Sequence, residues 1–272
     1  MNFESTGFAN AEFLKAVNID DLVTRNAMLD WKYEQRRQAQ QILPFLWLGP
    51  VAAARDTNFL QRTNITMVIA VRNTLSAQAR LLGSKAAEAL GIQSETIDVA
   101  GNPELIAAFP RAIEMINLHL SKAYQVEQSR SAMRNGTGVS DAPGKVLVFC
   151  ETGNERSAAV VVAYIMAMYS VKCVKVIQLA QAQRFAVSID DSMKHLLQTY
   201  ESMLKAKRDV FSAGNGVWPS NSTPVRQNNV NSELRRNSKR TLDDVYDEME
   251  VDGDEDDRIR FGERTASAPF EY

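Results

Sequence analysis

The amino-acid sequence predicts an α/β fold in which helices flank a central, largely parallel sheet. Short apolar runs typical of buried strands alternate with helical stretches, and residues 65–71 form the clearest such run. Residues 146–162 then predict a buried strand, a tight loop and a helix in direct succession. With 272 residues and 45% hydrophobic content, the chain is long enough to bury one substantial core.

The amino-terminal part combines a weakly patterned start with a helix and a strand. Residues 1–27 are expected to be a flexible N-terminus, because the first eighteen lack a strong hydrophobic period. A helical pattern extends from about residue 20 to 39, with Trp31 as the expected core anchor. Residues 42–50 predict a first strand that ends in a Gly-Pro turn.

The middle of the chain predicts alternating elements. In order, they are a short helix at 51–60, the strand at 65–71, a helix at 75–90, a strand at 95–99, a helix ending near Lys122 and an exposed inserted loop at 123–144. After the strand at 146–149, helices are expected at 156–169, 174–183 and 192–205. The folded domain is therefore expected to span residues 28–206.

Charge and composition separate the remaining tail from this domain. Residues 207–272 are rich in Ser, Asn, Arg and acidic residues, which predicts disorder. They contain a basic cluster at 234–240, a candidate nuclear import signal, followed by ten carboxylates within 243–257. Removing these ten negative charges from the net charge of −2 leaves about +8, which agrees with an anionic partner.

The loop after the 146–149 strand carries the residues with chemical potential. Cys150 and Arg156 stand six positions apart with Gly153 between them, and Ser157 follows directly. Such a loop can direct its backbone N–H groups at one anion, while the helix N-terminus adds positive potential and a guanidinium holds two oxygens. A thiol in the same field is favoured as thiolate, its nucleophilic form. The alternative is a buried cysteine that merely ends a core strand.

Cys-x5-Arg-Ser between a hydrophobic strand and an Ala-rich helix resembles the phosphate loop of the dual-specificity protein phosphatases. The segment 31–44 resembles the amino-terminal part of STYX-type pseudophosphatases, the phospho-Ser/Thr/Tyr-interaction proteins of that fold. The resemblance covers roughly residues 28–205. It implies the cysteine-phosphatase fold, with Cys150, Arg156 and Ser157 as catalytic residues. The phosphate-binding loop would consist of the consecutive residues Glu151, Thr152, Gly153, Asn154, Glu155 and Arg156.

Four features depart from the family pattern. The histidine that normally precedes the nucleophile is replaced by Phe149, and two acidic residues, Glu151 and Glu155, lie in the loop. The position of the general acid, normally Asp, is occupied by Gly101, so this acid is lost. Asp98 is a possible substitute. Besides Asp98, Glu104 is a spare carboxylate near this position. In the closing region, the usual Asn-Pro-Asn turn is replaced by Ser188-Ile189-Asp190.

Two functions remain open. The first is a phosphoprotein-binding pseudophosphatase or strongly weakened phosphatase, favoured by the departures. The second is an active tyrosine or dual-specificity phosphatase with a Cys150 phosphocysteine intermediate, favoured by the intact Cys150, Arg156 and Ser157. Losing a general acid typically costs about 10²–10⁴ in rate, and most of all for alkyl phosphates.

The expected partners are phosphorylated proteins, among them kinases of signalling cascades. Neither nucleic acid nor membrane is predicted as a partner, and the chain is expected to be monomeric. No cofactor or metal site is predicted, and His119 and His195 are expected to be surface or packing residues. Two cysteines without a pairing pattern and the absence of a signal peptide predict a cytoplasmic or nuclear protein.

Overall fold

The computed structural model describes residues 12–15, 17–19, 22, 31–75, 85–134 and 142–214. The tail beyond Gly214 lies outside the described residues, so its predicted disorder, basic cluster and acidic run stay predictions. The predicted helix at 75–90 is described only in part.

Five strands form one sheet in the order β1-β2-β5-β3-β4. Their bounds are β1 Gln40–Leu43, β2 Leu46–Pro50, β3 Met67–Asn73, β4 Gln93–Val99 and β5 Val146–Cys150. Only β1 runs antiparallel to its neighbour, and the other three pairings are parallel. The predicted largely parallel sheet is confirmed.

Eight α-helices and one short 3-10 helix lie within the described residues. The α-helices are α1 Glu12–Lys15, α2 Val51–Arg55, α3 Thr57–Thr63, α4 Lys85–Ala89, α5 Asn102–Arg134, α6 Arg156–Tyr169, α7 Cys173–Gln183 and α8 Asp191–Gly214. Residues of α1 and α5–α8 share a core with one face of the sheet, and residues of α2–α4 share a second core with the other face. No helix in the described ranges combines the length and apolarity needed to cross a bilayer.

Strand β5 and helix α6 form the centre of the molecule. All of β5 is buried, and its side chains alternate between the two cores, with Val148 and Cys150 on one face and Leu147 and Phe149 on the other. Every residue of α6 after Arg156 is buried, as expected for an Ala- and Val-rich helix packed beneath a sheet. The loop between them therefore leaves a rigid strand and enters a rigid helix.

The amino-terminal segment differs from its prediction in two respects. Phe13, Leu14 and nearby apolar residues are buried in the larger core, ahead of the expected domain start at residue 28. The helix predicted over 20–39 is wrong at its carboxyl end, where a 3-10 helix, Tyr33–Arg37, precedes β1. The backbone carbonyls of Arg36 and Gln38 accept hydrogen bonds from Arg184. A continued α-helix would have engaged these carbonyls in its own backbone hydrogen bonds.

Three element boundaries also differ. The single strand predicted over 42–50 is two antiparallel strands, because the chain turns at Pro44 and Phe45. The loop predicted over 123–144 is helical as far as Arg134, and the tail predicted from 207 is helical as far as Gly214. These extensions are polar and lack an apolar period, but they hold no proline and consist mainly of good helix formers.

Candidate active site

The predicted phosphate-binding loop, residues 151–156, lies at the carboxyl edge of the parallel strands, where sites of α/β proteins generally form. Strand β2 ends beside it, with Pro50 paired to Cys150. The Val51 N–H donates to the Glu151 carbonyl across 3.4 Å, which joins the start of the loop to α2. Helix α6 begins at Arg156, so the free N–H groups and the positive dipole end of this helix lie at the end of the loop.

Cys150 is the last residue of β5 and only 2% exposed. Its Sγ accepts a hydrogen bond from the Gly153 N–H at 3.2 Å and one from the Ser157 hydroxyl at 3.1 Å. The structure thus brings Cys150, Gly153 and Ser157 together. Two donors on one sulfur can share its negative charge whenever the thiolate forms or departs.

Gly153 permits the tight curvature of the loop. Its φ of +75° is unfavourable for L-residues with a side chain. A Cβ at this position would lie 2.3 Å from the Gly49 carbonyl carbon and 2.5 Å from the Pro50 nitrogen. The loop therefore packs directly on the backbone at the end of β2, and only glycine fits.

Arg156 is half-buried, and its guanidinium has no hydrogen bond or ion pair with any residue that the structure describes. It is thus available for an anion. The two loop carboxylates differ in their surroundings, since Glu155 is exposed and Glu151 half-buried. Neither forms an ion pair within the described residues. Glu155 occupies the N-cap position of α6 without a capping hydrogen bond from its side chain.

Arg184, directly after α7, supports the loop from beneath and was given no role from the sequence. It is completely buried and donates to the carbonyls of Gly153 at 3.1 Å and Thr152 at 3.2 Å, and to Asn154 Oδ1 at 3.0 Å. It also donates to the carbonyls of Arg36 at 2.9 Å and Gln38 at 2.7 Å, and to Gln40 Oε1.

One buried guanidinium thus connects the loop to the segment that enters β1. Burial lowers the pKa of Arg184 to about 10, while the nearby Cys150 acts in the opposite direction. The only sequence signal was an arginine at the end of an otherwise apolar-faced helix.

The turn Ser188–Asp190 also contacts the loop. The Ser188 N–H donates to the Asn154 carbonyl at 3.0 Å, and Asp190 Oδ1 accepts from the Met193 N–H at 2.7 Å, which caps α8. The departure from Asn-Pro-Asn therefore retains a connection between this segment and the loop.

The region of the general acid contains two carboxylates, and each has a partner. Asp98 accepts two hydrogen bonds from Arg72, at 2.6 and 2.7 Å, and this partner lowers the pKa of the carboxyl group. Glu104 Oε2 accepts from the Ala100 N–H at 2.6 Å. At Gly101 a Cβ would meet only Pro103 Cδ, at 3.6 Å, so a larger side chain fits there.

Phe149 occupies the position of the family histidine. It is completely buried in the second core, on the face of the sheet opposite Cys150. A phenyl ring there contributes packing and supplies neither a proton nor a hydrogen bond.

The two histidines lie away from the loop in sequence. His119, predicted to end a helix, lies inside α5, where its ring contacts Thr66 Oγ1 at 2.7 Å and Gln93 Oε1 at 3.0 Å. Burial, with Lys122 nearby, lowers its pKa. His195 is exposed on α8. Among the described residues, no three His, Cys, Asp or Glu side chains are grouped as metal ligands.

Comparisons with known proteins found a family model and several relatives that match this chain. The family model "Dual specificity phosphatase, catalytic domain" matches residues 137–203. The chain is 31% identical over 182 residues to serine/threonine/tyrosine-interacting protein A of Xenopus laevis, an alignment covering 65% of this chain and 71% of the relative. The human serine/threonine/tyrosine-interacting protein matches with the same identity and coverage.

Further matches include a dual specificity phosphatase and a solved structure. Dual specificity protein phosphatase 1 of Arabidopsis thaliana is 24% identical over 169 residues, which cover 61% of this chain and 71% of the relative. The crystal structure of the human tyrosine phosphatase-like serine/threonine/tyrosine-interacting protein has 29% identity and a TM-score of 0.46. It covers 61% of this chain and 97% of the solved one.

Proposed function

Because this chain belongs to the dual-specificity phosphatase family, in the branch of the serine/threonine/tyrosine-interacting proteins, we propose that it is a phosphoprotein-binding pseudophosphatase or strongly weakened phosphatase. It would bind phosphoserine, phosphothreonine or phosphotyrosine through the phosphate-binding loop. The relatives' name, which specifies interaction, supports phosphorylated proteins as partners. Kinases of signalling cascades belong to this partner class.

The state of the general-acid region carries the proposal. Gly101 has no side chain to donate a proton, and Asp98 is held as an ionised carboxylate by Arg72. Glu104 caps a backbone N–H at the start of α5. Of the described carboxylates in this region, none is therefore available to protonate a departing oxygen.

The loop retains what phosphate binding requires. The unpaired Arg156 guanidinium can hold two phosphate oxygens, and the N-terminal N–H groups of α6 can hold others. The carboxylate of Glu155 weakens this site, but its exposure to solvent screens the repulsion. The balance supports binding of a dianion at moderate affinity.

A second candidate function, an active phosphatase, is favoured by the surroundings of Cys150. Its Sγ would attack phosphorus and form an S–P bond as the P–O bond to the substrate breaks. Without an acid, the leaving oxygen departs as an anion and takes its proton from water. Water then attacks phosphorus and the S–P bond breaks, which releases inorganic phosphate and the thiolate. Ser157 donates its hydrogen bond to this thiolate.

Gly101→Asp tests the proposal, because open space at Gly101 accepts the new side chain. A restored acid should raise kcat/KM on an alkyl phosphate by up to about 10²–10⁴, and on an activated aryl phosphate by less than about tenfold. Cys150→Ser in each background controls for contaminating phosphatase. Phosphopeptide binding is measured separately with full-length Cys150→Ser protein.

Two results would contradict the proposal. Ordinary turnover of phosphoserine peptides by the native chain would establish the active phosphatase instead. Absence of phosphopeptide binding, by the native chain and by Cys150→Ser alike, would show that the loop has no phosphate-binding function.

A further inference from the structure

A groove of about 310 Å³ lies against the phosphate-binding loop. Its lining includes Glu151, Thr152 and Asn154 from the loop, and Arg36 and Arg37 from the 3-10 helix before β1. The groove thus places two guanidinium groups beside the residues that would surround a bound phosphate. Glu151 is the one carboxylate in this lining, so the groove carries a net positive charge.

The two arginines have different partners. The Arg37 side chain is exposed and has no hydrogen bond or ion pair with any described residue. The Arg36 guanidinium lies 3.9 Å from the centre of the Tyr33 ring and donates to the Tyr33 hydroxyl. Arg36 is therefore held in place by an aromatic ring, and the full donor set of Arg37 is available.

The position of this pair relative to the loop is set by shared contacts. Arg184 Nη2 donates to the Arg36 carbonyl at 2.9 Å and, on the loop side, to the Thr152 carbonyl at 3.2 Å and Asn154 Oδ1 at 3.0 Å. One buried group thus fixes the spacing between the arginine-bearing backbone and the loop. A ligand that contacts both sites meets a preorganised pair, which lowers the entropic cost of binding.

A second groove of about 360 Å³ continues from the first through Arg37 and reaches Arg62 and Trp47. The Trp47 indole Nε1 is buried and has no hydrogen-bond partner in the described part of the chain. The one carboxylate that lines this second groove, Asp56, accepts a hydrogen bond from the Phe59 N–H at 3.0 Å. The polar atoms available for a ligand are therefore mainly donors.

We propose that the groove at Arg36 and Arg37 binds the carboxylate of an Asp or Glu side chain from the same peptide whose phosphorylated residue occupies the loop. This inference rests on the proposed function and specifies its partners as phosphoproteins with an acidic residue close to the phosphorylated site. Planar guanidinium groups suit carboxylates by forming paired N–H···O bonds. Glu151, which also lines the groove, reduces the affinity gained from the peptide carboxylate and disfavours a more highly charged group.

Fluorescence anisotropy of labelled phosphotyrosine peptides tests the inference. Three full-length proteins are compared in a Cys150→Ser background, namely the unmodified groove, Arg37→Gln, and the matched control Arg130→Gln at an exposed position on α5. Three peptides share one phosphotyrosine-containing sequence and differ only in their flanks, which are all alanine, contain aspartate on both sides, or contain a phosphoserine as a second phosphorylated residue. An unphosphorylated aspartate peptide is the fourth probe.

The aspartate phosphopeptide should bind about three- to tenfold more tightly than the alanine phosphopeptide. Arg37→Gln should remove this preference and leave the affinity for the alanine phosphopeptide unchanged, whereas Arg130→Gln should change neither. Equal affinities for the two flanks, or equal loss of both in Arg37→Gln, would overturn the inference while leaving phosphate binding intact.

Other outcomes would also overturn it. A gain confined to the doubly phosphorylated peptide would assign the groove to phosphate, and comparable binding of the unphosphorylated aspartate peptide would separate the groove from the loop. Failure of every phosphopeptide to bind would reject the inference together with the proposed function.

Discussion

Replacing Arg184 with methionine should destabilise the whole domain. Methionine approximates the volume of the arginine side chain but offers no donor, so the acceptors that Arg184 now satisfies lose their partner. They include the carbonyls of Gly153, Thr152, Arg36 and Gln38, with N···O distances from 2.7 to 3.2 Å. These acceptors belong to two segments that Arg184 holds together.

The magnitude follows from two opposing terms. Each buried acceptor left without a donor costs about 1–3 kcal/mol. Removing a fully buried cation recovers part of this, because the folded state no longer has to desolvate it. Because four carbonyls lose their donor, the recovered desolvation offsets only part of their cost, and a net loss of about 3–5 kcal/mol is expected. At about 2–4 °C per kcal/mol for a domain of this size, the unfolding midpoint should fall by about 6–20 °C.

Thermal unfolding of the full chain, followed by circular dichroism at several scan rates, measures this loss. Arg130→Met, at an exposed position on α5, is the matched control and should shift the midpoint by less than about 2 °C. Arg184→Lys should also be destabilised, because a compact ammonium cannot reproduce a planar set of donors directed at two segments.

An Arg184→Met midpoint within about 2 °C of the native protein would refute the reasoning. It would mean that water or a rearranged loop replaces the guanidinium at little cost. A phosphopeptide affinity unchanged in a stable Arg184→Lys protein would likewise show that the loop keeps its shape without this support.

Three further predictions concern single charges. Glu155→Gln should tighten phosphopeptide binding by about two- to fivefold at low salt, with the exposed Glu127→Gln as control, because a carboxylate beside the loop repels the dianion; unchanged affinity would contradict this. Asp98→Asn should leave residual alkyl phosphate turnover within about twofold, whereas a hundredfold loss on that substrate would make Asp98 the acid. The pKa of His119 is lowered in the folded state, so the contribution of this residue to stability is present at pH values above the ordinary pKa of 6.5. The unfolded chain takes up that proton first, so stability should fall as pH drops from 7 to 5, and less so in His119→Gln; equal declines in denaturant titrations would argue against it.

The local pattern was sufficient to predict the centre of the molecule. An apolar strand followed by a glycine-bearing loop and an Ala-rich helix has few alternatives, and Cys150 and Ser157 duly meet across 3.1 Å. Helix ends were less predictable. Polar extensions such as residues 123–134 and 207–214 have helical propensity but no burial to reveal it.

The support for the loop could not be predicted from local pattern. Arg184 is separated by 31 residues from the Gly153 carbonyl and by 146 from the Gln38 carbonyl. Nothing in the neighbouring sequence indicates which backbone acceptors will be left for it. Similarly, the sequence did not reveal that the parallel register places Arg72 directly opposite Asp98.

The close contact between Gly153 and the end of β2 bears on how such a loop persists through evolution. A side chain at Gly153 would come within 2.3 Å of the Gly49 backbone, so drift at this position is selected against through folding. A substitution that removes an acid at position 101 would lower turnover without affecting that contact. Catalysis can therefore weaken while the glycine on which the loop's curvature depends is kept. The presence of Gly153 is thus explained by folding, and it is not evidence of turnover.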